Sequence, residues 1–211
     1  MGGRSSKSRA GHLQKGYTGA ASMSRCVLVP RGWKNADAVA AMRDFLRQPP
    51  PRRTVIRDLV DELKSKEPFA RRCAADLARR VSAREPGILR RYAGLLIDLV
   101  AQLPEDEWQT RGYLIQAAAL NVSTHARRMR LTVLLRPMAK DERIAVRAIA
   151  LEAFAMVAVA EPQLHREVLV LLEHANREGT CAMRCRARRM LPAVLESAER
   201  VRSGPESFEP Q

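Results

Sequence analysis

Two cysteines four residues apart, Cys181 and Cys185, are the first place in this chain where chemistry could sit, with His165 and His174 ahead of them. On a helix the two thiols share one face, and thiolates beside an imidazole form a soft-metal donor set. The spacing matches no common zinc motif, however, and cysteines on an apolar helix face ordinarily serve as small core residues. His12 and His125 have no acid or nucleophile placed for them by motif, and HExxH, GxSxG, the P-loop and GxGxxG are all missing. The run Glu105-Asp106-Glu107 beside Trp108 sets acids next to an indole, as an enzyme acting on an extruded base would need. Helix capping accounts for those acids, which leaves Trp108 as a packing residue or a partner anchor. The sequence therefore predicts no catalytic residue, metal ligand or cofactor, and a non-enzymatic protein.

A different chemistry, charge pairing with polyanions, is suggested by basic pairs that recur 37 or 38 residues apart: Arg52-Arg53, Arg90-Arg91, Arg127-Arg128 and His165-Arg166. Each pair falls near the start of a predicted helix, and stacked helices would set neighbouring pairs about 10 Å apart in a row. Arg79-Arg80 and Arg188-Arg189 lie off this pattern, and charged helix surfaces ordinarily serve solubility.

Helices must carry these residues, and the clearest is Asp141–Phe154, DERIAVRAIALEAF. Its apolar residues recur at three- and four-residue intervals, with Asp141 placed to cap the first turn. An arginine six residues after an acid, followed by small residues, recurs along the chain. Asp141 precedes Arg147, Glu105 precedes Arg111 and Glu178 precedes Arg184, while Arg71 has Ser65 in the acid's place. The arginines are 40, 36 and 37 residues apart, a period that in a helical chain means stacked helical hairpins. First helices are predicted near 52–65, 87–102, 124–138 and 162–176, and their partners near 68–82, 105–120, 141–159 and 180–200. Pro192 is predicted to kink or split the last of these.

This spacing, the acid ahead of a Val-Arg pair and the small residues that follow resemble the HEAT repeat of the armadillo-type folds, over about residues 50 to 200. The resemblance implies an all-α, right-handed solenoid of about four hairpins. It also implies hydrogen-bonded ladder pairs Glu105–Arg111, Asp141–Arg147 and Glu178–Arg184, with the rung at Arg71 altered by Ser65. In that family the arginine-bearing helices line a concave face and the usual role is a scaffold or adaptor for a protein partner. A nucleic-acid-binding module using the edge arginines and the basic tail is the alternative, with a HEAT-like alkylated-base glycosylase behind it.

Composition sets the outer bounds. The 211 residues are 46% hydrophobic, enough for one folded domain, and no apolar run is long enough to cross a bilayer. Four scattered cysteines fit a reducing compartment, so a cytoplasmic protein is expected. Half of the formal charge of +14 belongs to residues 1–36, which carry seven basic side chains and no acid. Residues 1–34 read as a disordered basic tail, as an organelle-targeting segment or polyanion-binding arm, or as sequence ahead of a start at Met23. Asn35 is predicted to cap a short helix that closes the end of a 35–202 repeat domain, and 203–211 reads as a disordered tail. At the centre of the predicted concave face lie Gly112, Gln116, Ala148 and Glu152, which is not a basic surface. A duplex cradle there would need continuous positive charge.

Overall fold

The computed structural model describes residues 53–203. The predicted capping helix after Asn35, the basic segment 1–34, Arg52 and the predicted tail beyond Ser203 lie outside the described residues.

Eight α-helices make up the described chain: α1 (Arg53–Glu62), α2 (Pro68–Arg84), α3 (Ala93–Gln102), α4 (Trp108–Ala119), α5 (His125–Met138), α6 (Ile144–Ala158), α7 (His165–Glu178) and α8 (Cys181–Ser203). Short 3₁₀ turns precede α3, α4 and α7, and no strand occurs among the described residues. Pro68 supplies the first residue of α2, where a missing amide hydrogen leaves no bond unmade. Gly87 turns the chain between α2 and α3 at φ +89°, a conformation that disfavours any side chain, and its amide donates to the Leu120 carbonyl at 3.2 Å.

Successive helices fold back as hairpins, α1 on α2, α3 on α4, α5 on α6 and α7 on α8. The second helices form a continuous layer, α2 against α4, α4 against α6 and α6 against α8. In the other layer α3 packs on α5. The hairpin turns thus share one edge of the molecule, and the crossovers α2–α3, α4–α5 and α6–α7 share the opposite edge.

Helix α6, the stretch with the clearest periodicity, is the middle of the core. It touches α4, α5, α7 and α8, and eleven of its fifteen residues are buried. Its Phe154 is the largest side chain with no solvent exposure. A helix enclosed on so many sides reads apolar nearly all round, because it has no face left to give to water.

One local expectation differs from what the chain does. Asp141 lies ahead of the helix it was expected to cap: α6 begins at Ile144, and the Asp141 carboxylate instead accepts from the Arg143 amide at 2.8 Å. Pro192 lies inside α8, which is not split there and runs on to Ser203. Among the described residues no helix is long and apolar enough to cross a membrane.

Candidate interaction surfaces

The periodic arginines act on the main chain. Arg71 Nη1 donates to the Ser65 carbonyl at 2.5 Å, Arg147 Nη1 to the carbonyls of Asp141 and Glu142 at 2.7 and 2.9 Å, and Arg184 Nη1 to the Gly179 carbonyl at 2.6 Å. Each ties the start of a second helix to the turn before it. The expected pair Asp141–Arg147 therefore meets through the Asp141 carbonyl rather than its carboxylate, and the expected pair Glu178–Arg184 does not form: Arg184 takes the Gly179 carbonyl and Glu178 lies 3.5 Å from His174. Arg111 breaks the series, its buried Nε having no acceptor, and Glu105 sits in the 3₁₀ turn before α4. The one arginine of the four whose guanidinium meets a carboxylate is Arg71. It pairs with Glu107 of the next hairpin, Nε to Oε2 at 3.1 Å. A peptide carbonyl accepts whatever side chain its residue carries, which is why Ser65 serves as well as an acid.

Along the layer α2, α4, α6, α8, polar side chains join neighbouring helices. Arg72 lies 5.5 Å above the Phe69 ring and donates to Gln109 at 3.1 Å. Arg79 is held by Asp76 and stacks 5.3 Å from the Tyr113 ring. Glu152 is 7% exposed yet joins three helices: it accepts from Gln116 at 3.3 Å and Arg186 at 3.1 Å, and pairs with Arg189. Burying that carboxylate costs free energy that the two guanidinium groups offset. Gly112 lies against Ile149, whose Cδ1 would stand 2.9 Å from an added Cβ, so α4 and α6 approach closely at the middle of the layer. Where α2 and α4 begin, an open groove of about 330 Å³ is lined by Phe69, Arg72, Asp106 and Gln109 among others.

On the crossover edge the structure sorts the predicted basic pairs. Arg128 turns inward and, with His125, binds the buried Glu161 at 2.6 and 2.8 Å. Burial pushes the Glu161 carboxyl up, but the hydrogen bonds and charges of Arg128 and His125 together prevail and hold it below the ordinary range. His165 is buried, its Nε2 without a partner. Arg53, Arg90, Arg91 and Arg166 are exposed, and Arg127 Nη1 donates to the Arg90 carbonyl at 3.2 Å, setting adjacent rows side by side.

Trp108 is half-buried against the core. Cys181 and Cys185 are exposed on α8, Cys73 is half-buried with its thiol pushed up by burial, and among the described residues no group of three metal-ligating side chains gathers. Sequence reasoning passed over Asn121 and Glu161, and it read Glu107 as a helix-capping acid rather than the partner of Arg71. Asn121 is buried and joins three segments: it accepts from the Leu89 amide at 2.7 Å and donates to Ser82 Oγ at 2.8 Å and the Ala117 carbonyl at 2.7 Å. Its signal was a single amide inside the apolar run Ala117–Val122. Comparison with family models, with curated proteins and with solved structures finds no match for this chain.

Proposed function

We propose that this protein is a non-enzymatic, HEAT-like helical scaffold that binds a protein partner on the surface formed by α2, α4, α6 and α8. These helices touch in unbroken succession, whereas in the other layer α3–α5 is the well-packed pair. A stack tighter on one side than the other curves toward the tighter side, so this layer is the concave one.

The observation that carries the reading is how the guanidinium groups of this surface are engaged. Arg79 and Arg80 share Asp76, Arg186 and Arg189 share Glu152, and Arg72 donates to Gln109 and lies over the Phe69 ring. The result is a braced, polar face with apolar ground such as Met156, one turn beyond Glu152 on the same side of α6. A phosphate backbone needs cations still free to shed counterions, while a protein surface is met by mixed polar and apolar ground. The glycosylase alternative would need a base-stacking indole and a free acid together. Trp108 packs partly against the core and Glu107 is bound to Arg71.

Affinity capture with the full chain, after nuclease treatment, tests this. A protein should be retained by the wild type and lost from a folded Gln109→Arg/Met156→Arg variant. Retention that is unchanged by that pair, or that vanishes with nuclease, would refute the proposal.

A further inference from the structure

We infer that the crossover edge, on the side away from the hairpin turns, is a contact surface for the phosphate backbone of nucleic acid, independent of base sequence. The inference does not rest on the protein-scaffold reading: it concerns a different surface and a different ligand.

Several cations away from this edge are committed: Arg130 pairs with Asp98, Arg136 with Glu167, Arg71 with Glu107, and Arg186 and Arg189 with Glu152. On the crossover edge Arg128 is taken by Glu161, but the side chains of Arg53, Arg90, Arg91 and Arg166 are exposed and have no hydrogen-bond or ion-pair partner among the described residues, and that of Arg127 reaches only a carbonyl. The acids in the connecting segments of this edge are Glu85 and Glu161, and Glu161 is buried and already taken by Arg128 and His125. The hairpin-turn edge, by contrast, carries Glu105, Asp106, Asp141 and Glu142 in its connections.

The rows are held in contact along this edge by the bond from Gly87 to Leu120, that from Arg127 to the Arg90 carbonyl, and that from Ser197 to the Val159 carbonyl. Successive helix rows at roughly 8–10 Å spread the free guanidinium groups over about 30 Å. That length matches about nine base pairs of duplex at 3.4 Å rise. The planar fork of arginine suits phosphate oxygens, and among the described residues the aromatic beside these groups is Tyr92, which is half-buried against the core. Charge continuity favours nucleic acid over an acidic protein segment. Residues 1–52, which precede Arg53 in the chain, carry ten basic side chains and two acids, and a nucleic acid carries a dense condensed counterion layer to release against so many cations.

The experiment uses the full chain and fluorescent 30-mers of random sequence, duplex DNA and single-stranded RNA, in anisotropy titrations from about 50 to 200 mM salt. The variant Arg53→Glu/Arg91→Glu/Arg166→Glu is compared with Lys66→Glu/Lys140→Glu/Arg177→Glu, an equal charge change at exposed positions around the hairpin turns. Circular dichroism checks that both fold. The edge variant should bind at least about 10-fold more weakly, with the log–log salt slope smaller by about 2–3, while the control stays within about 3-fold. Equal losses in both variants, no loss in either, or no binding by the wild type would overturn the inference. So would a poly-glutamate probe that binds as tightly as the 30-mers with the same dependence on the edge arginines, since the partner would then be an acidic protein.

Discussion

Arg147 grips its turn through the carbonyls of Asp141 and Glu142, so the residue that matters there is the donor. Arg147→Ala should lower stability by about 1–2 kcal/mol, the value of hydrogen bonds from a charged group to partly solvated acceptors. Asp141→Ala, which removes a turn-capping oxygen and a solvent-screened 3.6 Å contact with Arg143, should cost less than about 1 kcal/mol. Urea midpoints of the two variants decide the order, and a larger loss from Asp141→Ala would restore the carboxylate as the partner. Glu152 poses the opposite problem, because it is the buried member of its cluster. Glu152→Ala should cost about 2–4 kcal/mol, leaving Arg186 and Gln116 to seek water in a confined place. Arg189 is 60% exposed and can resolvate freely, so Arg189→Ala should cost less than about 1 kcal/mol. At Glu161 the folded carboxyl titrates below its unfolded value despite burial. Its contribution is therefore complete above about pH 5 and is lost as pH falls through the folded value. Urea midpoints measured between about pH 3 and 7 should fall more steeply toward acid in the wild type than in Glu161→Gln; parallel curves would show that the site contributes nothing to acid sensitivity.

At the scale of helices, Asn121 does for the crossovers what the arginines do for the hairpin turns. It joins the last turn of α2 at Ser82, the end of α4 at Ala117 and the approach to α3 at Leu89. Asn121→Ala strands a buried amide and hydroxyl and should cost about 2–4 kcal/mol. Faster hydrogen exchange at the Leu89 amide should accompany that loss, and an unchanged rate would mean that another acceptor takes over. The helices themselves were legible in the sequence to within a few residues, because three- and four-residue spacing of Leu, Val and Ala reports directly on a buried stripe. Side-chain partners were not. Whether Arg71 meets Glu105 or Glu107 depends on how the 3₁₀ turn before α4 rotates its three acids, and whether Arg128 faces water or Glu161 depends on the neighbouring hairpin. Neither is a property of spacing along one helix.

Across the whole molecule, contacts run from each helix to its immediate neighbours in the stack. In such an array stability accumulates unit by unit, and protection is greatest where neighbours lie on both sides. Amide exchange should be slowest in α6, enclosed by four helices, and faster in α1, whose principal described contact is α2. Uniform exchange across all eight helices would instead indicate a single all-or-none unit. The joints at Ser65, Asp141, Glu142 and Gly179 draw on the peptide bond, an acceptor common to every amino acid. At Ser65, Asp141 and Glu142 the acceptor does not depend on which side chain its residue carries, whereas at Gly179 an added Cβ would stand 2.3 Å from the Ala175 carbonyl oxygen, so that joint keeps its glycine. Where the acceptor is a peptide carbonyl and the site has room for a side chain, the brace outlasts a change of residue.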